Sequence, residues 1–588
     1  MRITRTQKAA GAALGAAASL TVLFALAGPA AAARDGSGGS RPAASEAVVA
    51  LSRVKADAAI QAHVARGLTS GWVSVVVSVT SPGLTAEQEK RLAGLQADIY
   101  RRLPLIGAAA CRVPNRNLPA LLALPFVERV SQDAEVTKCD ELTVESTGAD
   151  YAYQRYHLTG DGVGVAVLDT GIDRHPDFNG PRPSERRVVA EANFVSSKRK
   201  ADDECGHGTH IAGIIAGNGS ASSGPHFFRT FYGIAREADL VDVRVLDDRG
   251  KGSVSTVIAG ISWAVARRQQ YNIRVLNISF GHEVGESYKS DPLCRAVEAA
   301  WKSGIVVVCA AGNSGRQYAA TSRNRDNGGY GTRYGSIQSP ANSPYVITVG
   351  AMKPGPSGGR QQHQIASYSS RGPSRLDFVL KPDIVAPGDG VISTLANNSY
   401  LDRQFGNANV VNISEYRDVR VDRPSNRYMR LSGTSMAAPV VAGAVALLLE
   451  KEPWLTPDTV KARLMVTADK WNGAGGVADA CTFGAGYLNI PAALSARFVA
   501  TAPALSPTLM RTQQGDVYID THNLGAGGRW GTNGVEGLQA IWGGNAVGQN
   551  GRLFTPALGT LSVWGDRSVS DYTITSVDLT SVVIQGDR

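Results

Sequence analysis

The 588-residue sequence has few cysteines and no cluster of like charges. Its six cysteines are far too sparse for a disulfide scaffold, and no CxxC pair gives the spacing of a zinc finger or a thioredoxin-like redox site. The net charge is +9, but the basic residues are scattered, so the sequence gives no indication of a nucleic-acid partner. With 43% hydrophobic and 19% charged residues, the chain has enough apolar surface for two or three folded units.

An uncharged, Ala-rich stretch at residues 9–27 follows basic residues at the N terminus. The small residues at 30–33 are typical of a signal-peptide cleavage site. An uncleaved membrane anchor is the alternative, because the stretch is close to spanning length, although Ala is only weakly hydrophobic. We interpret residues 1–33 as a secretory signal peptide and expect a secreted, extracellular protein without a membrane segment after cleavage.

A small folded unit is expected next, within residues 34–142. After a Gly/Ser-rich linker, the β-branched run at Trp72–Thr80 is typical of a strand. Thr85 and Gln88 match a capping box, and the apolar residues after them share one helical face, which predicts a helix over 85–102. The remaining predicted elements are a strand, a short helix and a strand, at 107–113, 117–124 and 126–130. This order predicts a small α+β sandwich without chemistry of its own.

Three polar residues stand at the ends of apolar elements. Asp169 ends the run GVGVAVLD, which is typical of a strand buried on both faces of a parallel sheet, and open α/β sheets place their sites at such strand ends. His207 opens a helix of small residues in GHGTHIAG, where the flanking glycines let another backbone approach. Ser435, in SGTSMAAP, opens a buried helix whose free N–H groups favour an oxyanion. Taken alone, each residue also fits a cap or a packed polar group.

Asn313 follows a further doubly buried strand, in the string GIVVVCAAGNSG. Its amide can donate to a developing negative charge, although N-S-G is also a strong turn string. Together, an Asp, a His and a Ser at such positions are the parts of a nucleophilic triad. The chymotrypsin order begins with His and the α/β-hydrolase order begins with Ser, and residues 433–437 do not form a G-x-S-x-G elbow. Only the subtilisin order, Asp then His then Ser, remains.

Four strings of this sequence resemble the signature segments of the subtilisin-like serine proteases. They are DTGID (169–173), GHGTHIAG (206–213), AAGNSG (310–315) and SGTSMAAP (432–439). The resemblance implies an α/β fold in which a subtilisin-like parallel sheet is flanked by helices, with a small α+β ferredoxin-like propeptide before it. The implied divisions are a propeptide, a peptidase domain and a short, β-rich tail, at 34–142, 143–498 and 499–588.

The same resemblance implies a secreted serine endopeptidase made as an autoprocessed zymogen. Its partners are protein or peptide substrates and its own propeptide as an intramolecular inhibitor, and a monomer is expected. The implied catalytic residues are Asp169, His207, Ser435 and Asn313. A pseudoprotease or surface adhesin is the competing hypothesis, and the four filled catalytic positions disfavour it.

The resemblance also implies that two segments pair with an extended substrate by β-augmentation. They are Ser279-Phe280-Gly281 and Ala310-Ala311-Gly312. The rear of the pocket for the residue before the scissile bond is expected near Ile337 and Gln338, with cleavage after large apolar residues. The processing junction is expected between Thr137 and Thr147.

Catalysis is expected to need no cofactor. Asp177, in HPDF, matches a calcium-ligand position of many relatives, but the loop at 218–232 contains no carboxylate, so we do not expect calcium there. Residues 397–428 are interpreted as a surface insertion, and Cys111 and Cys139 are candidates for a disulfide within the propeptide.

The tail has three W-G pairs, which suggest short β units. They begin at Trp530, Trp542 and Trp564. Either a carbohydrate or cell-surface binding module or an irregular β appendage packed on the protease fits this pattern.

Overall fold

The structure of the protein, a computed structural model, divides into two compact units, residues 1–137 and residues 138–588. The predicted signal peptide, the linker, Cys139 and the W-G pairs at Trp530 and Trp564 lie outside the residues that the structure describes. The described residues are 46–67, 69–81, 83–133, 142–180, 185–195, 202–317, 326–355, 360–419, 421–471, 478–520, 537–548, 550–555 and 587.

The first unit has a four-stranded antiparallel sheet. Its strands are β1 (Trp72–Val79), β2 (Asp98–Leu103), β3 (Ala108–Pro114) and β4 (Val127–Gln132). Its helices are α1 (Glu46–Lys55), α2 (Ala58–Ala65), α3 (Ala86–Gly94) and α4 (Leu118–Leu122). The strand order is β2-β3-β1-β4, and alternate valines of β1 are buried, as the serine alternation predicts. The predicted capping box of Thr85 and Gln88 is present at α3.

The helix predicted over 85–102 is wrong in its second half. α3 ends at Gly94, the chain turns at Gln96 with a φ of 55°, and Asp98–Leu103 forms the edge strand β2. The spacing of apolar residues is compatible with either structure, and the glycine is where the helix stops. The extra strand makes the order β-α-β-β-α-β, a split βαβ arrangement.

The second unit contains the remaining strands and helices. The strands are β5 (Gly164–Asp169), β6 (Val188–Asn193), β7 (Asp239–Arg244), β8 (Ile273–Ile278), β9 (Val306–Ala310), β10 (Ile347–Lys353), β11 (Gln364–Ile365), β12 (Ile384–Pro387), β13 (Val391–Thr394), β14 (Val410–Asn412), β15 (Pro424–Leu431), β16 (Leu509–Arg511) and β17 (Val517–Ile519). The helices are α5 (Leu142–Thr147), α6 (Ala149–Tyr156), α7 (His207–Ala216), α8 (Val254–Arg267), α9 (Pro292–Lys302), α10 (Tyr400–Asn409), α11 (Thr434–Lys451), α12 (Pro457–Thr467), α13 (Ala480–Phe483), α14 (Ile490–Ser495) and α15 (Gly537–Trp542).

The central sheet has the order β11-β10-β9-β8-β5-β7-β6, with β12 also paired to β10. All of these pairs are parallel except that of β10 with β11. β5 and β9 are buried along their whole length, so both faces of the sheet are covered. α7 packs against α11, and α8 packs against α9. The predicted α/β class, a mostly parallel sheet flanked by helices, is confirmed.

Helix α11 is long and apolar enough to cross a membrane, but 89% of its apolar window is buried inside the protein. It contacts β8, β9, β10 and β12, as expected of a core helix. Ser435 lies in the first turn of this buried helix, at the edge of the central sheet.

The insertion at 397–428 is not a simple surface loop, because its residues share a small hydrophobic core with Phe231 and Ile392. It contributes α10 and β14, and β14 and β13 pair with the two sides of β15. Tyr416 and Tyr428 pack with Phe231 in an aromatic cluster, with ring centroids 4.7 to 5.5 Å apart. The insertion and the loop at 218–232 therefore form one packed substructure.

The described part of the tail is packed into the main hydrophobic core of the second unit. β16 and β17 form a hairpin, but Trp542 ends helix α15 and is only 3% exposed. This W-G pair does not mark a β unit, and its buried indole is not available as a carbohydrate-binding surface.

Five cysteines of the described part of the chain are free, buried thiols. They are Cys111, Cys205, Cys294, Cys309 and Cys481. The suggested pairing of Cys111 with Cys139 is not tested, because Cys139 lies outside the described residues.

Two lysines and one aspartate are buried together in the second unit. Lys381 Nζ lies 2.6 Å from Asp383 Oδ2, and Lys461 Nζ lies 3.4 Å from Asp383 Oδ1, with all three side chains 0% exposed. Lys461 also donates to Ser506 Oγ at 2.8 Å and to two carbonyls of the 344–346 turn. Desolvation lowers the pKa of Lys461 to about 7.

We expect Lys461 to make folding stability rise between about pH 7 and pH 9, because the unfolded chain then holds a proton on Lys461 that the folded chain lacks. Lys470, whose pKa burial also lowers to about 7, adds a rise in the same range. The contribution is about 1 kcal/mol per pH unit. Denaturant unfolding at several pH values measures it, in a Ser435→Ala background that removes the predicted nucleophile. Lys461→Met in the same background should reduce the slope and leave the part that is due to Lys470; an unchanged slope would contradict the assignment.

Candidate active site

The predicted catalytic residues converge because of where their elements begin and end. Asp169 is the last residue of β5, and Asn313 follows β9 by three residues. Parallel strands end at the same edge of the sheet, and there α7 begins with His207 and α11 begins beside Ser435. The packing of α7 against α11 and against β5 holds the two helix starts at this edge.

A buried hydrogen bond joins Asp169 to His207. The distance from His207 Nδ1 to Asp169 Oδ1 is 2.7 Å, and both side chains are 0% exposed. The same oxygen accepts the Thr170 N–H at 2.8 Å. Within the described residues, His207 Nε2 has no hydrogen-bond partner, so the far nitrogen of the ring remains available for proton transfer.

The turn before His207 is fixed to the turn after Asp169 by Asp203, which sequence reasoning missed. The Asp203 carboxylate accepts from Thr170 Oγ1 at 2.7 Å and from the Gly206 N–H at 2.7 Å. Thr170 Oγ1 in turn accepts the Gly208 N–H at 2.9 Å. An added Cβ at Gly208 would lie 2.2 Å from the Gly171 carbonyl oxygen, so glycine is required for this close approach, as the sequence suggested.

The Asn313 side chain is oriented by Thr434, a second residue that sequence reasoning missed. Asn313 Oδ1 accepts from the Thr434 N–H at 2.9 Å and from Thr434 Oγ1 at 3.0 Å. Thr434 Oγ1 also accepts the Gly312 N–H at 3.1 Å. Because the carbonyl end of the amide is held in this way, Nδ2 is the end left to donate to a ligand.

A small cleft lies between these groups. It is lined by Ser279, Phe280, Gly281, Ala310, Gly312, Asn313, Ser314, Gln338, Thr434 and Ser435. The structure thus brings the candidate nucleophile and the candidate oxyanion donor together with most of the predicted substrate-binding residues.

The segment 310–312 does not fit its predicted role as a pairing edge. The Ala311 N–H donates to the Val349 carbonyl at 3.0 Å, and the Ala311 carbonyl accepts the Gln338 N–H at 3.1 Å. The Gly312 N–H is bonded to Thr434, and the Gly312 carbonyl accepts the Ser370 N–H at 2.9 Å. These backbone groups already have partners, so the segment forms a wall of the cleft and Ala311 lies behind it.

Gln338 reaches across the rear of the cleft, while Ile337 is buried behind it at 2% exposure. An added Cβ at Gly281 would lie 3.1 Å from Gln338 Oε1, and one at Gly312 would lie 2.9 Å from the same atom. The amide of Gln338 therefore lies close to both glycine walls of the cleft.

Comparison with known proteins shows the family of this chain. A family model described as the subtilase family matches residues 160–486. The chain belongs to the subtilase family. It is 35% identical to serine protease AprX of Bacillus subtilis (strain 168) over 418 residues, which cover 69% of this chain and 82% of that protein. It is 30% identical to subtilisin E of the same strain over 450 residues, which cover 76% and 94%.

A third relative is a thermostable alkaline protease of Halalkalibacterium halodurans, 32% identical over 63% of this subtilase and 79% of the relative. The chain is thus a serine endopeptidase of subtilisin type, and it acts on protein or peptide substrates. Catalysis by subtilases needs no cofactor.

The Asp177 carboxylate of this subtilase does not fit a calcium site. Asp177 is 1% exposed; Oδ1 accepts the Ala221 N–H at 2.8 Å, and Oδ2 accepts the Tyr428 hydroxyl at 2.8 Å. Among the described residues, no group of three or more His, Cys, Asp or Glu side chains is placed to hold a metal ion. The insertion thus supplies Asp177 with a hydroxyl donor where calcium would need a free carboxylate oxygen.

We expect Tyr428→Phe to reduce the free energy of unfolding by about 2 kcal/mol, because it removes a donor from a buried carboxylate. Tyr416→Phe is the matched control: it belongs to the same aromatic cluster, and its hydroxyl bonds the neutral Ser425 Oγ at 2.9 Å, not a carboxylate. The loss there should be about half as large.

Thermal unfolding with and without a chelator completes this test. The melting temperature of the unsubstituted protein should be the same in both conditions, because Asp177 is satisfied by protein donors. A large drop on chelation would show that calcium is bound at this carboxylate or elsewhere.

Proposed function

We propose that this subtilase cleaves peptide bonds with Ser435 as nucleophile, His207 as general base and acid, Asp169 as the partner of the imidazole, and Asn313 as an oxyanion donor. The observation that carries the proposal is the 2.7 Å hydrogen bond between His207 Nδ1 and Asp169, buried from solvent, with no partner for His207 Nε2 among the described residues. This bond puts the proton on Nδ1 and the basic lone pair on Nε2.

In this mechanism Ser435 Oγ attacks the peptide carbonyl while His207 Nε2 takes its proton. The imidazolium then gives that proton to the leaving amine, and the Asp169 carboxylate stabilises the ring while it is charged. Asn313 Nδ2 and the Ser435 N–H, at the start of α11, donate to the oxyanion of the tetrahedral intermediate. Thr434 supports this assignment because it holds the opposite end of the Asn313 amide.

The first unit is proposed as a propeptide, within residues 34–142, that inhibits the peptidase domain (143–498) until it is removed. Within the expected junction, residues 142–147 form α5, where Thr143, Ser146 and Thr147 are buried in the second unit. A buried helix is a poor substrate, so we place the cleavage before Leu142. Export through the signal peptide at 1–33 belongs to the same proposal.

Replacing the oxyanion donor should slow turnover strongly. We expect Asn313→Ala to lower kcat by about a hundred to a thousandfold, because one donor to the oxyanion is lost. Ser435→Ala should leave only residual hydrolysis. Steady-state kinetics on a denatured protein or peptide substrate measures both, and full turnover by Ser435→Ala would defeat the whole assignment.

Gln338 should limit the size of the substrate residue that is accepted before the scissile bond. This revises the expected preference for large apolar residues. Because its amide lies close to both walls of the pocket, Gln338→Gly should raise kcat/KM for a substrate with Phe at this position by about tenfold. The matched substrate with Ala is the internal control and should change little. Equal gains in kcat/KM for both substrates would show that Gln338 does not limit the size of this pocket.

Maturation should depend on the proposed nucleophile. In a host without other proteases, Ser435→Ala should accumulate as the unprocessed form, and amino-terminal sequencing of the active protein should give a start between Thr137 and Leu142. Normal processing of Ser435→Ala would show that another protease makes the cut, and a mature start inside α5 would refute the boundary.

A further inference from the structure

A chain of buried hydrogen bonds runs from β8 into the first turn of α11. Asn277 Nδ2 donates to Ser279 Oγ at 2.9 Å, and Ser279 Oγ donates to the main-chain carbonyl of Ser435 at 2.9 Å. Asn277 and Ser279 are both 0% exposed, and Ser435 is 4% exposed. Although Ser279 stands in a segment that lines the cleft, its hydroxyl is thus used inside the protein, on the nucleophile's own peptide group.

The Ser435 carbonyl needs this donor because of Pro439. In an α-helix the carbonyl of residue 435 would accept the N–H of residue 439, but proline has no N–H. α11 continues through Pro439 to Lys451 as one helix, so the proline removes a donor without ending the helix. A buried carbonyl without a donor is unfavourable, and the Ser279 hydroxyl supplies the missing one.

We propose that Ser279, oriented by Asn277, is a positioning residue for catalysis: it fixes the peptide group that follows Ser435 and thereby the first turn of α11. This inference rests on the proposed role of Ser435 as nucleophile. The turn carries both the Ser435 hydroxyl and the Ser435 N–H, so its orientation sets the attacking oxygen and one oxyanion donor together. Because the hydroxyl is used inside the protein, on the Ser435 carbonyl, its loss affects kcat and leaves substrate affinity in place.

The test combines the loss of the donor with a substitution that restores one. Ser279→Ala removes the hydroxyl, and Pro439→Ala adds an N–H from which the Ser435 carbonyl can accept the ordinary helical bond. The kinetics of a peptide amide substrate are measured for each single variant and for the double variant. Ser374→Ala is the matched control, since Ser374 is also 0% exposed and its hydroxyl accepts the Val379 N–H at 3.0 Å.

We expect Ser279→Ala to lower kcat by about tenfold with KM changed by less than about twofold. In the Pro439→Ala background the same substitution should lower kcat by less than about threefold, because the carbonyl no longer depends on Ser279. Ser374→Ala should keep kcat even where its melting temperature falls as much as that of Ser279→Ala. Full kcat in Ser279→Ala, or an equal loss in both backgrounds, would overturn the proposal.

Two further measurements separate this inference from the proposed function. Should Ser279→Ala fail to fold, Asn277→Ala is the substitute, because it keeps the Ser279 hydroxyl but removes the donor that orients it. Pro439→Ala should then reduce the loss of kcat that Asn277→Ala causes. Additive losses of kcat in the double variant would overturn the proposal. Ser435→Ala, and labelling of Ser435 by a serine-directed fluorophosphonate, test the nucleophile itself. If Ser435→Ala is inactive but Ser279→Ala lowers kcat equally with and without Pro439→Ala, only the positioning role is rejected.

Discussion

The hydrogen bond between Asp169 and His207 is the interaction on which the rest of the site depends. A carboxylate buried from solvent is very unfavourable unless its oxygens find donors, and an imidazole at 2.7 Å is such a donor. Bringing the two together requires α7 to begin directly against the end of β5, which a side chain at Gly208 would prevent. Asp203 then fixes the two turns to each other, so the geometry of the pair is set by its surroundings before any substrate arrives.

The positions of the four catalytic candidates were predictable because each depends on local sequence. A strand buried on both faces and a helix of small residues are visible in the composition of a few consecutive residues, and the polar residue at the end of each stands out. The same local reasoning failed at residues 98–103, where an apolar spacing that suits a helix belongs to the edge strand β2. Edge strands have one exposed side and a weak pattern, so only the partner strand distinguishes them.

Residues whose role comes from a distant partner were not predictable in this way. Thr434 supports Asn313 across 121 positions of sequence, and Ser279 supports the Ser435 carbonyl across 156. Neither hydroxyl differs in the sequence from many other Ser and Thr residues, and only the packing of α11 against β8 and β9 brings them to their acceptors. The pairing role expected for 310–312 failed for a related reason: its N–H groups already donate to Val349 and Thr434, and its Gly312 carbonyl already accepts from Ser370.

The environment of Asp177 shows how two separate segments of this chain depend on each other. The loop at 218–232 supplies the Ala221 N–H, and the insertion at 397–428 supplies the Tyr428 hydroxyl, so each satisfies one oxygen of the same buried carboxylate. Phe231 from the loop packs against Tyr428 and Tyr416 from the insertion, which holds the hydroxyl in place. Removing either segment alone would leave a buried carboxylate oxygen without a donor. In the part of the chain that the structure describes, no group of three or more His, Cys, Asp or Glu side chains is placed to hold a cation there instead. In the described part of this subtilase, the loop without carboxylates and the long insertion therefore act together: each supplies one of the donors that the buried Asp177 carboxylate needs.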